Sequence, residues 1–307
     1  MWVMHGGQGL TVAQSQIYSF HKARQRFHEV EYLTKVSKGN PVPYTLNCSI
    51  LLTELALNQR ADAAKQAGFD SVEFWWPFDV AVPTDKQVDE FVGSIKNAGV
   101  QLDGLNFFAG DMPAGDRGLV SWVGRGAEFR DNVDVVTAIG EATGCRSFNA
   151  LYGNRQKDSS AQAQDELAIE NLLIAAAGVA RIGGNVLIEP VSGTEAYPLK
   201  TADDALAVVH QVKQAGGENI GLLADFYHLA VNGDDVAAVI EKHAKDFAHI
   251  QIADAPGRGA PGTGDLPLLD WIARSRELGY AGLVALEYKQ SADTAFDWLR
   301  TAELEAS

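Results

Sequence analysis

Asn185-Val186-Leu187-Ile188-Glu189-Pro190 is a short apolar run that ends in a carboxylate and then a proline. A continuous run of Val, Leu and Ile reads as a strand buried on both faces. A Glu at its end is costly to bury alone, so it needs a cation, a partner or a chemical task. The pattern recurs downstream. Gly221-Leu222-Leu223-Ala224-Asp225 ends in a carboxylate. Phe247 to Asp254 carries Gln251, and Leu283-Val284-Ala285-Leu286-Glu287 ends in a carboxylate again. The interval from Glu189 to Asp225 equals that from Gln251 to Glu287, and each is one strand-helix-strand step. A single Glu at a strand end is ordinarily solvated or salt-bridged, but corresponding positions in successive units argue for a shared point. Three carboxylates and an amide oxygen suit a hard divalent cation, Mg²⁺ or Mn²⁺ rather than Zn²⁺, with Co²⁺ as a further candidate.

Outward from this stretch the chain alternates. Strands are expected at Tyr44–Ile50, Ser71–Trp75, Val100–Asn106, Ser147–Tyr152, at 185–189, and at Ile220–Phe226, Phe247–Ala253 and Leu283–Tyr288. Helices are expected at Leu51–Ala67, Thr84–Ala98, Glu128–Thr143, Ser160–Ile182, Thr201–Ala215, Asp234–His243, from Asp265 or Leu266 to Gly279, and from Asp293 to Leu299. Glycine closes nearly every helix. Alternation of this kind predicts a parallel sheet. Eight such units in this length match a closed α/β (β/α)8 TIM barrel over residues 41–307, with the polar strand ends gathered at one mouth. An open doubly wound sheet is the alternative. Residues 1–40 form an expected N-terminal extension, helical around 13–35 and locally basic from His21 to His28.

Composition sets limits. The chain has 307 residues and a formal net charge of −15. Nucleic acids and anionic membranes both reward basic surfaces, so neither is an expected partner. Cys48 and Cys145 are too few for a disulfide scaffold and lack metal spacing, which fits a reducing cytoplasm. No apolar run reaches the roughly 20 residues of a membrane span. The start of the chain also lacks the apolar core of a signal peptide.

Other groups fall near the expected mouth. His228 lies three residues past Asp225, Glu195 six past Glu189 and Lys289 two past Glu287. Arg258, in the loop after the seventh strand, can hold a substrate carboxylate or hydroxyl. Glu73 and Asn106 end the second and third strands. Trp75, Trp76 and Phe107 are expected as apolar wall. Gly257-Arg258-Gly259-Ala260-Pro261-Gly262 matches the dinucleotide fingerprint, but Pro261 and Gly264 keep the chain in a loop where a helix should begin. A phosphate loop, a zinc-protease helix motif and a nucleophile elbow are all absent from the sequence.

These motifs resemble the hydroxypyruvate isomerase family of the xylose-isomerase-like barrels. The resemblance is carried by Ile188-Glu189-Pro190, Asp225-Phe226-Tyr227-His228, His249 to Asp254, Pro261-Gly262-Thr263-Gly264 and Glu287-Tyr288-Lys289. Ala109-Gly110-Asp111, Ala114 to Gly118 and Glu128-Phe129-Arg130 add to it, and the likeness spans roughly Pro43 to Leu299. It implies a divalent metal held by Glu189, Asp225, Gln251 and Glu287, with Glu189 and Glu287 doubling as an acid/base pair. It implies substrate contacts from His228, Glu195 and Arg258. Gln251 stands where sugar 3-epimerase relatives usually carry His, which favours the hydroxypyruvate isomerase branch. The expected substrate is a small hydroxy-keto acid or ketose, and the expected assembly a homo-oligomer. A 3-epimerase or 2-oxo-tetronate isomerase is the alternative on the same barrel. A DNA-repair endonuclease is the alternative of another class, disfavoured by the acidic charge.

Overall fold

A computed structural model describes residues 44–299; the expected extension, 1–40, lies outside them. Eight short parallel strands close into one barrel in sequence order. They are β1 (Tyr44–Asn47), β2 (Ser71–Phe74), β3 (Gln101–Asn106), β4 (Ser147–Asn149), β5 (Asn185–Ile188), β6 (Ile220–Asp225), β7 (Phe247–Ile252) and β8 (Val284–Leu286). The helices between them are α1 (Leu57–Gln66), α2 (Asp85–Ala98), α3 (Gly126–Thr143), α4 (Ala161–Ala180), α5 (Ala202–Gln214), α6 (Phe226–Asn232), α7 (Val236–His243) and α8 (Leu268–Glu277).

Alternation along each strand divides the core in two. Leu46, Val72, Phe148, Ile188, Leu222, Ile250 and Leu286 are fully buried and face the helix ring. The intervening positions point inward, and many are polar. In a parallel pair, residues in register share a face. Register therefore sets Asn47 beside Glu73, Asn106 beside Asn149, and Asp225 beside Gln251. The helices start and stop on local chemistry. Thr84 and Gln87 form a capping box on α2, and Thr201 and Asp204 form one on α5. Ser160 caps α4.

The structure trims the expected elements. The first helix begins at Leu57 rather than Leu51, because Leu52 takes a left-handed backbone (φ 58°). Arg60 knits that turn by donating to the carbonyls of Cys48, Thr53 and Leu55. β4 stops at Asn149 instead of Tyr152, and β1 at Asn47 instead of Ile50. Helix α6 was not expected; Asp225 caps it by accepting from the N–H groups of Tyr227 (2.8 Å) and His228 (3.3 Å). The last expected helix is turn through 292–296 and helical only from 297 to the edge of the described residues.

The long loop between β3 and α3 folds over the mouth. Gly118 passes so close to the next loop that a Cβ there would lie 1.9 Å from the Leu151 carbonyl oxygen. Its φ of +112° also favours glycine. Arg125 holds the far side of this loop through Asp116 (3.2 Å) and Glu128 (2.7 Å). Cys48 and Cys145 are both buried and free, and burial raises both thiol pKa values, Cys145 to about 12. Neither is a nucleophile. Among the described residues no helix is long and apolar enough to cross a membrane.

Candidate active site

The ends of β5, β6 and β8 bring Glu189, Asp225 and Glu287 together. One ligand atom from each of these and from His228 lies within 4.8 Å of the others, and all four residues are buried. Gln251, from β7, joins them: its Nε2 lies 3.4 Å from Glu287 Oε1. The strand-end pattern thus converges as expected.

Each side chain is held differently. Glu189 Oε2 accepts from Asn149 Nδ2 (2.6 Å). The Tyr197 hydroxyl donates to the Glu189 backbone carbonyl (3.0 Å) and accepts from the Tyr152 N–H (2.9 Å), which joins the β5 and β4 ends. Glu287 Oε1 accepts from Trp75 Nε1 (2.6 Å) and Asn47 Nδ2 (2.9 Å), while its Oε2 meets Arg258 Nη2. Asp225 spends Oδ1 on the α6 cap, and its Oδ2 is buried without a hydrogen-bond partner.

The electrostatics follow from this crowding. Burial, then the charges of Glu287 and Asp225, push Glu189 well above the usual carboxylate range; Asn149 and Arg258 pull back less. Burial and Glu287 raise Asp225 to about 8. Glu287 is also raised by burial, with Arg258 opposing and Glu73 adding to the rise. Three carboxyls in one dry pocket cannot all ionise without a nearby cation. Burial disfavours the Arg258 charge as well, but Glu287, Asp225 and Glu189 outweigh it and keep the guanidinium charged.

His228 has a fixed tautomer. The Ser192 N–H, an obligate donor, points at Nδ1 (3.1 Å), with Ser192 Oγ at 2.7 Å. Nδ1 therefore carries a lone pair, and the proton of the neutral ring sits on Nε2. Burial, then Arg258, Arg117 and Lys200, lower its pKa and keep it neutral. The Nε2–H faces Asp225 Oδ2 (3.6 Å) and Glu189 Oε1 (3.8 Å) as a donor. In that tautomer His228, though part of the candidate cluster, faces it as a hydrogen-bond donor.

The remaining donor set fits a hard cation. Asp225 Oδ2 and Gln251 Oε1 are both buried and unpartnered, and they stand beside the carboxylates of Glu189 and Glu287. Buried polar atoms are nearly always satisfied, so these orphans, with Asn149 Oδ1 beside Glu189, mark room for an ion or water among the carboxylates.

Arg258 is presented by a stapled loop. Asp254 is fully buried. Its carboxylate accepts from the N–H groups of Ala255, Gly262 and Gly264 (2.9 Å each) and Leu266 (3.0 Å). The guanidinium carbon of Arg258 lies 5.4 Å from the centre of the Tyr227 ring. Beneath the cluster, Glu73 accepts from Gln251 Nε2 (2.6 Å), Asn47 Nδ2 (2.8 Å) and His249 Nε2 (2.8 Å). Burial works against a charged His249, yet the bond to Glu73 and the charges of Glu73, Asp103 and Glu287 outweigh it and raise its pKa.

The other expected contacts take these places. Glu73 points into the barrel floor, where it meets Asn47, His249 and Gln251. Glu195 and Lys289 are exposed and stand outside the cluster. Asn106 is buried beside Asn149. Trp75 is a hydrogen-bond donor to Glu287 rather than plain wall, and Phe107 packs between Phe129 and Phe148, 5.4 and 6.2 Å away. Sequence reasoning missed Asn47, Asn149, Ser192 and His249. Asn47 and Asn149 end β1 and β4 as Glu189, Asp225 and Glu287 close theirs, but strands drawn too long hid them. A cavity of about 670 Å³ between the β7–α8 loop and Trp298 lies outside this cluster.

Residues 61–302 match the family model of the xylose isomerase-like TIM barrel. A Streptomyces coelicolor protein described as "Putative hydroxypyruvate isomerase" is 47% identical over 264 residues, covering 83% of this chain and 95% of that protein. The 2-oxo-tetronate isomerase of Cupriavidus necator is 30% identical over 261 residues, covering 84% and 97%. Among solved structures, an AP endonuclease, family 2, from Brucella melitensis superposes with a TM-score of 0.76 at 30% identity, covering 85% of this chain and 99% of that one.

Proposed function

Because the chain belongs to the xylose isomerase-like TIM barrels, and within them to the hydroxypyruvate isomerase family, we propose that it interconverts hydroxypyruvate and tartronate semialdehyde with a bound divalent metal. It is an intramolecular oxidoreductase of the aldose–ketose type, an isomerase of sugars or keto acids. The observation that carries the metal is the pair of buried, unpartnered oxygens, Asp225 Oδ2 and Gln251 Oε1. Glu189, Asp225, Gln251 and Glu287 would hold one Mg²⁺ or Mn²⁺. When bound, such a cation stabilises negative charge developing on neighbouring substrate oxygens.

The chain's own residues supply the rest. The reaction moves a hydrogen from the hydroxymethyl carbon of hydroxypyruvate to the adjacent carbonyl carbon, through an enediolate. One of Glu189 and Glu287 accepts the carbon-bound proton, and the other returns a proton to the neighbouring carbon. The hydroxyl proton passes between the two oxygens, so no atom or electron is lost. His228 Nε2–H donates to a substrate oxygen, and Arg258 pairs with the carboxylate. Buried Asn106 lines the same end of the barrel. Trp75 and Asn47 hold Glu287 in one orientation. A dry pocket strengthens each of these interactions.

The test is a substrate panel run on chelator-treated protein with Mg²⁺, Mn²⁺ or Co²⁺ restored. Hydroxypyruvate turnover that depends on added metal supports the proposal; metal-independent turnover defeats it. Preference for a 2-oxo-tetronate or a ketose would move the substrate to the alternative that the Cupriavidus relative suggests. The likeness to the Brucella protein raises an endonuclease as the second reading. The net charge of −15 argues against it, and nicking of abasic DNA decides it. The same proposal has the protein act in a reducing cytoplasm and as a homo-oligomer, the latter checked by light scattering. Val80 and Val82, exposed after β2, are candidate contacts between copies.

A further inference from the structure

We infer that Glu73, on β2, is a positioning residue that fixes the Gln251 carboxamide with its oxygen toward the cation and its nitrogen away from it. This rests on the reading of the strand-end cluster as a metal centre. A carboxylate only accepts, so the Gln251 atom 2.6 Å from Glu73 Oε1 is Nε2. The opposite atom, Oε1, is the buried oxygen left without a partner. A carboxamide is nearly symmetric in shape. Turned over, it would aim N–H at the cation and lose a ligand. The other acceptor near Nε2, Glu287 Oε1, is at 3.4 Å and already receives Trp75 and Asn47. Glu73 therefore decides which way the amide faces.

Glu73 is itself held on several sides. Asn47 Nδ2 meets Oε1 at 2.8 Å, and His249 Nε2 meets Oε2 at 2.8 Å. Gly104, on the neighbouring strand, leaves the room: a Cβ there would lie 3.1 Å from both Glu73 Cβ and Oε2. Gly104 is absent from the positive-φ glycines, so its backbone does not require glycine. The space it leaves for Glu73 is the physical reason for a missing side chain at this position. Asn47 also reaches Glu287 at 2.9 Å, so one amide ties the brace to the opposite ligand.

The experiment measures Mn²⁺ affinity of chelator-stripped protein by the paramagnetic resonance of free Mn²⁺, with circular dichroism as the fold control. Loss of a ligand's outer partner typically weakens metal binding by about 10–100-fold, and Glu73→Leu is expected in that range. Glu73→Gln keeps an acceptor for Gln251 and presents its own N–H to a neutral His249, so it stays close to the parent. Gly104→Ala, which crowds Glu73 without removing it, falls between. The double variant Glu73→Leu with Gln251→Glu carries a symmetric carboxylate that cannot face the wrong way, and it regains affinity. Glu73→Leu with parental affinity would overturn the inference. So would Glu73→Gln as weak as Glu73→Leu, or a double variant as weak as Glu73→Leu. If the parent protein itself binds no Mn²⁺, the metal reading fails first and is recognised separately.

Discussion

The barrel divides into two halves with different chemistry. Staves β5 to β8 end in Glu189, Asp225, Gln251 and Glu287, which present charge or a bare oxygen to one point. Staves β1 to β4 end in or near Asn47, Glu73, Asn106 and Asn149, and three of these bond to side chains of other staves, although Asn149 Oδ1 stays unpartnered. Asn47 bridges Glu73 and Glu287, and Asn149 holds Glu189. Even the carboxylate of this half, Glu73, has donors on both oxygens, whereas Asp225 Oδ2 has none. A satisfied buried carboxylate such as Glu73 braces the fold, and an unsatisfied one such as Asp225 marks a candidate site.

The largest effect should come from the ligand half. On the proposed mechanism Glu189→Gln and Glu287→Gln each remove a proton-transfer group, and a loss of about 10²–10⁴-fold in kcat is expected with the fold intact. Near-parental turnover in either would erase the distinction between the halves. Asn47→Leu attacks the supporting half. It strips a donor from two buried carboxylates, at about 1–3 kcal/mol of stability, visible as a lower Tm in calorimetry. An unchanged Tm would mean that the two halves do not depend on each other.

Arg258→Ala should raise KM for a carboxylate substrate by about 10-fold, the value of one charge-assisted hydrogen bond, with kcat less affected. An unchanged KM removes Arg258 from the substrate. Next comes pH. Asp225 is raised to about 8, and Glu189 and Glu287 move the same way. At these three carboxyls the folded metal-free protein thus binds more protons than the unfolded chain between roughly pH 4 and 8, and their contribution to stability falls as pH rises through that window, with lowered His228 opposing in part. A cation reverses the preference, so the gain in Tm on adding Mn²⁺ should grow from pH 5 to 8. A gain independent of pH would contradict it. The smallest effect is Trp75→Phe, which removes one of several donors to Glu287 at about 1 kcal/mol. A few-fold loss of activity is expected, and none at all would return Trp75 to the apolar wall.

Legibility followed the same division. Glu189, Asp225 and Glu287 were readable because a carboxylate closing an apolar run contradicts its surroundings, and the contradiction repeats at a regular step. Asn47 and Asn149 were not, since an Asn near a strand end is also an ordinary turn residue. His249 lay inside a strand, where a lone His is ordinarily part of the core. Glu73 was seen, but its bond to Gln251 was not, because a strand end tells how high a residue sits and not which neighbour meets it.

By itself, the sequence determined the order of strands and helices, the closure of eight units, the family and the chemical type of the groups that cluster at the strand ends. Those follow from period, capping residues and carboxylates at fixed steps, all of them properties of short stretches. Only the tertiary structure decided which oxygens are left bare, which tautomer His228 adopts, and which way the Gln251 amide turns. Each of these is set by a contact between residues far apart in the chain, such as Glu73 with Gln251 or Ser192 with His228. A donor can be assigned only once its acceptor has been brought beside it.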